Sequence, residues 1–416
     1  MRLTLRLSLR LTLLGLCFIT TALQAGDWPH WRGPDRDDVS KETGLLKDWP
    51  KEGPKQDWVN NDVGLGYSSF AIAGGKLFTI GAREATEFLI CLDVNDGKEL
   101  WAAPVGVRLD DGRGDGPRGT PTIAGDAVYA MGGQGTVICA AIDDGKIRWQ
   151  KTMSSLGGRK PGWGFCESVL VDDDRVICTP GGKEGAIVSL NKADGEIAWR
   201  TTDLTDSAGY SSVVPVELNG QRQYLQLFMN KVAGVSASDG KLLWQSDWPG
   251  KTAVIPTPIY HNGRVFITSG YGVGCKLVKV GADYQVEDVY FNKNMKNHHG
   301  GVLRVGEHLY GYSDQVGWTC LDFQTGDIVW SEKNALGKGS VTCADGMLYC
   351  VDEKDGTVIL AEASPAGWKE HGKFKLAQKS SRRSSKGMVW THPVVCNGKL
   401  FLRDQEMLSC YDVTAR

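Results

Sequence analysis

The sequence CLDVNDGKELW, from Cys91 to Trp101, contains the pattern that decides the fold. An apolar run ends in Asp93, a short turn closes on Gly97, and a second, alternating run ends in Trp101. Glycine supplies the positive φ that such a turn needs, and Asp or Asn at the turn bonds its own backbone. The stretch therefore predicts a β-hairpin.

The same hairpin recurs in altered form along the chain. Its other copies are AIDDGKIRW at 141–149, SLNKADGEIAW at 189–199, GVSASDGKLLW at 234–244 and CLDFQTGDIVW at 320–330. A second repeating element precedes each hairpin, with a small residue at its third place, an apolar run, and a Gly, Asn or Asp turn before the next strand. Eight such elements lie 39 to 52 residues apart, and their third-place residues are Ser69, Thr120, Ser168, Ser212, Thr257, Gly301, Ser340 and His392.

Four-stranded units at this period, with no helical pattern between them, predict an all-β fold. We expect an eight-bladed β-propeller of four-stranded antiparallel blades over residues 55–416. The hairpins at 277–291 and 360–374 lack the Gly-to-Trp ending but fall at the expected places.

The two ends of the repeat region predict how the ring closes. The last copy, from Cys410, stops where its Trp-bearing strand is due, and residues 55–60 resemble that missing strand. Trp58 would then take the role of Trp101. We therefore expect this N-terminal strand to complete the eighth blade, so that no sheet edge stays open.

Residues 1–25 have the pattern of an export signal, because three arginines precede an apolar run from Leu11 to Ile19 and small residues follow. A lipoprotein signal would place a small residue before Cys17, whereas this chain has Leu16 there. We therefore predict an exported protein, periplasmic or secreted, without a lipid anchor.

Residues 26–54 have neither strand nor helix periodicity and are rich in Pro, Trp and charge. We predict an extended N-terminal arm. Its tryptophans, Trp28 and Trp31, are expected to pack on the propeller body, because large aromatic side chains usually supply buried area.

The overall charge argues against some classes of partner. A net charge of -2 and a pI of about 6.4 give no electrostatic reason to expect nucleic acid or an anionic membrane. No segment after the N-terminus is long and apolar enough to span a membrane. We expect a monomer.

Ten cysteines follow the export signal, and three of them stand at the same place in different repeats. Such positions predict buried core thiols. The chain has no CxxC motif and no adjacent cysteines, which excludes zinc-ribbon, c-type haem and thioredoxin-like sites. The sequence does not decide whether Cys343 forms a disulfide with Cys350 or with Cys396.

Repeats of an aromatic residue, an apolar strand and LD-x-x-x-G-x-x-x-W resemble the PQQ-type, or quinoprotein-like, propeller repeat over about residues 55–416. Two functional branches share that repeat. One contains the quinoprotein alcohol dehydrogenases, and the other contains exported propellers without a known cofactor, including the BamB subunit of the outer-membrane barrel-assembly machinery. The resemblance implies the fold but does not choose between the branches.

The dehydrogenase branch implies PQQ at the propeller axis, beside calcium and under a disulfide of adjacent cysteines, with an Asp as base. This chain has no adjacent cysteines and is much shorter than those enzymes. We therefore interpret it first as a BamB-like, non-catalytic binding or scaffold protein of the cell envelope. Its partner would be an envelope protein or ligand at the channel face, bound by channel residues and WD40-like loops. The alternative is a PQQ- and calcium-dependent dehydrogenase that oxidises an alcohol or sugar.

The candidate ligand site is the mouth of the central channel, where the innermost strands of the blades are expected to begin. Aromatic rings and cations around one opening could bind an anionic, planar or peptide-like ligand, or could merely fill and solvate the channel. The predicted channel-mouth residues are Tyr67, Arg118, Trp163, Glu167, Tyr210, His298, His299, Lys338, Trp390 and His392.

The three histidines of this set could offer a metal site or a general base, but the sequence shows no carboxylate companion, so no metal site is predicted. Residues 108–119, which contain three aspartates, and the basic run at 379–386 are expected to be solvated loops. The alternatives are a calcium site on the first loop and an acidic partner or phosphate on the second.

Overall fold

The computed structural model describes residues 26–415, so the predicted export signal at 1–25 lies outside the described residues. Residues 26–415 form eight sheets, each built on four antiparallel strands, which confirms the predicted eight-bladed β-propeller. Helical structure in this range is confined to one short 3-10 turn, Ser154–Leu156. No helix among residues 26–415 is therefore long and apolar enough to cross a bilayer.

In blades 1 to 7 the strands follow chain order from the channel outward, and in blade 8 the outermost strand comes from the N-terminal segment. The strands of blades 1 to 4 are Ala71–Ala73, Lys76–Arg83, Thr86–Asp93 and Glu99–Val107; Thr122–Ala124, Ala127–Met131, Thr136–Ala141 and Ile147–Thr152; Leu170–Asp172, Arg175–Cys178, Val188–Asn191 and Ile197–Arg200; and Val214–Leu218, Gln221–Leu227, Lys231–Ser236 and Leu242–Asp247.

Blades 5 to 8 repeat this arrangement. Their strands are Ile259–His261, Arg264–Ser269, Gly274–Val280 and Val286–Asn292; Val302–Val305, His308–Ser313, Gly317–Asp322 and Ile328–Glu332; Gly339–Ala344, Met347–Asp352, Thr357–Glu362 and Glu370–Lys375; and Val394–Cys396, Lys399–Asp404, Met407–Asp412 and the N-terminal Lys55–Asn60. Because Lys55–Asn60 pairs antiparallel with Met407–Asp412, the N-terminal strand closes the ring as predicted.

In several blades the repeated tryptophan joins the blade to the next one. The ring of Trp58 lies so close to Gly97 of blade 1 that a Cβ added there would come within 2.4 Å of it, and its Nε1 donates to Val94 O at 3.0 Å. Equivalent contacts join Trp101 to Gly145, Trp149 to Gly195 and Trp199 to Gly240. The glycine of each turn therefore serves the contact between blades as well as the hairpin.

Blade 5 is one of the two degenerate repeats, and a tyrosine replaces its missing tryptophan. Tyr290 donates its hydroxyl to the carbonyl oxygen of Phe323 in blade 6 at 3.1 Å and lies against Gly326. The preceding Trp244 meets no glycine turn in blade 5. Its Nε1 donates instead to Gln223 Oε1 of its own blade at 2.9 Å.

The N-terminal arm crosses the central channel and bonds to every blade in residues 26–415. In blade order, its contacts are Trp28 with Ile72, Pro29 with Ile123, Arg36 with Val169 and Val213, Trp31 with Thr257, Arg32 with Val302, Asp38 with Cys343, and Gly26 with Cys396. Trp28 is buried, and the half-buried Trp31 also packs on the propeller, with its ring centroid 4.7 Å from that of His392, so both tryptophans pack on the body as predicted.

The arm also contains a strand that the sequence did not predict. Val39–Ser40 pairs parallel with the innermost strand of blade 7, so that this sheet has five strands. Nearby, Arg32 Nε lies 3.0 Å from Asp38 Oδ2, and both side chains are almost fully buried. The channel therefore holds packed side chains of the arm.

All ten cysteines of residues 26–415 are buried free thiols. This agrees with the predicted role of core thiols, and the disulfide left open for Cys343 is not formed. Cys91 lies opposite Trp101 in the first blade. Cys396 was a candidate disulfide partner of Cys343, but its Sγ donates to Gly26 O of the arm at 2.9 Å.

Candidate functional site

Two cavities lie at opposite ends of the innermost strands, with the arm between them. The one where these strands begin has a volume of about 210 Å³, and Trp31 and Arg32 form part of it. We call it the aromatic cavity. The other, the distal cavity, has a volume of about 510 Å³ and is lined by His30 and Arg36 of the arm and by the ends of the strands in blades 3 and 4.

Most of the predicted channel-mouth residues line the aromatic cavity. They are Tyr67, Arg118, Trp163, Tyr210, His298, His299, Trp390 and His392. They come together because the innermost strands all start at one end of the propeller. That a ligand binds there remains a prediction.

Two groups of aromatic rings form walls of this cavity. Trp163 and Tyr210 are stacked, with ring centroids 5.3 Å apart and an interplanar angle of 25°. Tyr67 lies 5.0 Å from Trp390, and the guanidinium carbon of Arg118 lies 5.4 Å from the Tyr67 ring centroid. Such ring faces can stack on a planar or apolar group.

The histidines are held by groups that the sequence reasoning missed. His299 Nε2 is hydrogen-bonded to Glu353 Oε2, which also accepts from Trp390 Nε1 at 3.1 Å. The expectation that these histidines have no carboxylate companion is therefore wrong. Burial lowers the pKa of His299, whereas the bond from His299, the nearby charge of Lys338 and the bond from Trp390 together outweigh burial and lower the pKa of Glu353. A neutral imidazole thus donates to a carboxylate.

His298 is also neutral and has bonds at both ring nitrogens. Its Nδ1 lies 3.0 Å from Lys338 Nζ, and its Nε2 lies 2.9 Å from the Tyr271 hydroxyl. Burial, followed by the neighbouring His299, Lys338 and Arg113, lowers the pKa of His298 to about 3. Because an ammonium only donates, Nδ1 of His298 is the acceptor.

Two predicted site residues do not line the aromatic cavity. Lys338 lies behind His298, where it forms an ion pair with Asp314 at 2.7 Å. Glu167 is buried within the propeller, and its carboxylate accepts from the Thr179 N–H at 2.7 Å and the Thr179 hydroxyl at 2.8 Å. Burial raises the pKa of Glu167 to about 7.

The two loops predicted to be solvated are folded over the mouth of the aromatic cavity. The Tyr67 hydroxyl donates to Arg113 O at 2.6 Å, and the Ser384 hydroxyl donates to Gly112 O at 2.8 Å. Arg383 Nε donates to the buried Asp404 at 2.9 Å. Residues 108–119 and 379–386 therefore contact each other, and together we call them the rim.

The third-place residues of the repeats form hydrogen bonds between blades. The Ser69 N–H donates to Thr120 Oγ1 at 3.2 Å, the Thr120 N–H to Ser168 Oγ at 2.9 Å, and the Ser168 N–H to Ser212 Oγ at 3.0 Å. In blade 8 the imidazole of His392 bonds to His299 O at 2.8 Å. These residues join blades, and five of the eight third-place residues also line the cavity, namely Ser168, Ser212, Thr257, Gly301 and His392.

The donor groups do not fit PQQ with calcium. Among residues 26–415 no three His, Cys, Asp or Glu side chains come together as a metal site. Asp111 is the carboxylate that lines the aromatic cavity, and its Oδ1 already accepts from the Arg113 N–H at 2.7 Å. The adjacent cysteines that the dehydrogenase branch implies are missing as well.

The family model described as "Outer membrane protein assembly factor BamB" matches residues 85–332. The outer membrane protein assembly factor BamB of Yersinia pestis is 23% identical over 362 residues, which cover 84% of this chain and 75% of that protein. The protein of the same name from Burkholderia pseudomallei is 26% identical over 194 residues, 44% of this chain and 45% of that protein.

Solved structures from both branches resemble the propeller. BamB from Moraxella catarrhalis has a TM-score of 0.61 at 14% identity and covers 86% of this chain and 98% of its own. Quinohemoprotein alcohol dehydrogenase from Comamonas testosteroni has a TM-score of 0.60 at 11% identity. The match covers 95% of this chain and 82% of the dehydrogenase chain. At these identities the likeness establishes the fold and leaves the choice of function to the site.

Proposed function

Because the chain belongs to the family of the outer membrane protein assembly factor BamB, we propose that it is an exported propeller that works by binding, without catalysis. It acts as a scaffold in the cell envelope. Residues 1–25 direct its export, residues 26–54 form the arm, and residues 55–416 form the propeller. The relatives from Yersinia pestis and Burkholderia pseudomallei are named as outer membrane assembly factors, and an envelope protein is the proposed class of partner.

The observation that carries this proposal is the bonding of the polar groups around the aromatic cavity. His299 bonds to Glu353, and His298 bonds to Lys338 and Tyr271. General acid–base catalysis needs a group that can exchange a proton with a substrate. Here both ring nitrogens of His298 and the Nε2 of His299 are bonded to neighbouring side chains, and aromatic rings form much of the remaining wall.

The arm supports the same proposal. Trp28, Arg32, Arg36 and Asp38 are each at most 2% exposed, and they tie the blades together from within the channel. A channel filled in this way makes the propeller a rigid body. Rigid elements hold a binding surface in place with little entropy cost on association.

The proposed docking surface is the rim together with the mouth of the aromatic cavity. Lys386 lies exposed on the rim, whereas Lys146 lies exposed in an outer turn of blade 2. We would place a photo-crosslinking amino acid at each position in the full chain, expressed in its own host. A discrete adduct with an envelope protein is expected from position 386 and not from position 146.

Cell fractionation accompanies the cross-linking experiment. The mature chain is expected in the envelope or the medium, shortened by the export signal. Retention of the full-length chain in the cytoplasm, or equal adducts from positions 386 and 146, would contradict the proposal.

This function needs neither PQQ nor calcium at the aromatic cavity, and the single, already bonded carboxylate of Asp111 supports that view. A ligand that binds only the folded state raises the midpoint of thermal unfolding. We expect no such rise when the mature chain is titrated with PQQ and calcium together. Saturable, stoichiometric binding would favour the dehydrogenase alternative.

A further inference from the structure

The walls of the aromatic cavity face each other across the ring. Trp390 begins the innermost segment of blade 8, and Tyr210 that of blade 4, which is the opposite blade in a ring of eight. Tyr67 extends the first wall and Trp163 extends the second. Both walls present aromatic rings to the cavity, against which a flat ring can stack.

The volume of the cavity limits the size of such a ring. An apolar protein cavity of about 150 Å³ accommodates benzene. The aromatic cavity has about 210 Å³. It therefore has room for one aromatic ring and a short substituent, and is smaller than typical cofactor sites of roughly 300–1,000 Å³.

The charges around the cavity leave one cation without a partner. Arg118 Nη2 donates to Gly114 O at 2.9 Å, and Arg32 is paired with Asp38. Within residues 26–415, the guanidinium of Arg113 has neither a hydrogen bond nor an ion pair, although it lines the cavity. Arg113 is exposed on the rim above the mouth, where a ligand anion could reach it.

We propose that the aromatic cavity binds a small aromatic monocarboxylate, whose ring lies between the walls formed by Trp390 and Tyr210 and whose carboxylate pairs with Arg113. This inference rests on the proposed function, because it takes the channel mouth as the binding face. It adds the chemical class of the ligand.

The test uses phenylacetate as the probe, and 2-phenylethanol as its neutral counterpart with the same ring. Binding to the purified mature chain would be followed by titration calorimetry and by tryptophan fluorescence. We expect phenylacetate to bind one to one and about tenfold more tightly than 2-phenylethanol, which corresponds to about 1.4 kcal/mol. Acetate alone should not bind measurably, because it lacks the ring.

Two variants separate charge from stacking. Arg113→Gln should remove the preference for phenylacetate and leave 2-phenylethanol binding unchanged. Trp163→Leu should remove a ring of the second wall and weaken the binding of both probes severalfold. Arg382→Gln is the matched control, since Arg382 is an exposed arginine of the same rim whose side chain does not line the cavity. Arg113 is exposed as well, so its substitution should not impair folding.

Equal affinities for the two probes, or no binding of either, would overturn the inference. Binding of methyl glucoside in place of phenylacetate would overturn it in favour of a saccharide site. Neither result bears on the cross-link at position 386 or on fractionation, which test the scaffold function by themselves.

Discussion

Trp58 lies opposite Cys410 across the eighth blade, in the register that places Trp101 opposite Cys91 in the first blade. In blade 1 the two residues belong to one hairpin, whereas in blade 8 they come from opposite ends of the propeller sequence. Each pair adjoins a register shift of the same kind. The closing strand therefore reproduces an ordinary blade and joins blade 8 to blade 1 through its tryptophan.

Substitution of that tryptophan should loosen the closure. Trp58→Ala removes the ring that packs on Gly97 and the hydrogen bond to Val94 O. We expect the free energy of unfolding to fall by about 3 kcal/mol, in the range of large-to-small substitutions at buried aromatics. Urea denaturation followed by circular dichroism measures it. Leu100→Ala, at a side chain that is 50% exposed, is the control. Equal losses in the two variants would contradict a special role for Trp58.

The buried pair in the arm gives a second prediction. Arg32 and Asp38 lie 3.0 Å apart with almost no exposure, so Asp38→Asn leaves a buried guanidinium without its countercharge. The free energy of unfolding should fall by about 3–5 kcal/mol. Asp35→Asn breaks an exposed pair with Lys41 and should change it by less than about 1 kcal/mol. A small effect of Asp38→Asn would mean that the arm contributes little to the folded propeller.

Loss of one interblade hydrogen bond should lower the free energy of unfolding by a smaller amount. Ser212→Ala removes the hydroxyl that accepts from the buried Ser168 N–H at 3.0 Å. An unsatisfied buried N–H costs about 1–3 kcal/mol, and we expect a loss of that size in chemical denaturation. Ser381→Ala, at an exposed position of the rim, is the control. If both variants unfold at the same denaturant concentration, the interblade bond is not stabilising.

The fold could be predicted from the sequence because each blade is built mostly from residues that are close together in the chain. Its strands alternate with period two, and its turns carry glycine at a fixed place, so Gly97 and Trp101 recur with their neighbours in later copies. The path of the arm could not be predicted in this way. Arg36, for example, bonds to backbone carbonyl groups of Val169 and Val213, and every residue type offers such a carbonyl.

The residues of the candidate site also differ in whether the repeats could predict them. The repeat alignment brought Tyr67, Tyr210 and Trp390 to one cavity because they stand at equivalent places in their blades. Arg113 lies in a loop without a repeat equivalent, so no periodic signal indicated it. Glu353 directly follows the second strand of blade 7, and a repeat-based search of the innermost strands alone does not reach that position.

Glu167 gives a prediction that depends on pH. Burial raises the pKa of its carboxyl from 4.5 to about 7. Between these values the folded chain binds the proton more tightly than the unfolded chain, so the contribution of Glu167 to stability is complete below about pH 4.5 and is lost as the pH rises towards 7.

Glu167→Gln removes this dependence and keeps a side-chain oxygen for Thr179. Relative to the wild type, the variant should therefore gain stability between pH 5 and pH 8, by up to about 3 kcal/mol at 1.36 kcal/mol for each pH unit of the shift. Denaturant titrations at pH 5, 6, 7 and 8 measure the difference in the free energy of unfolding. Glu52→Gln, at an exposed position, should show no such trend. A constant difference between Glu167→Gln and the wild type would mean that Glu167 is ionised throughout this range, with Arg36 as its compensating charge.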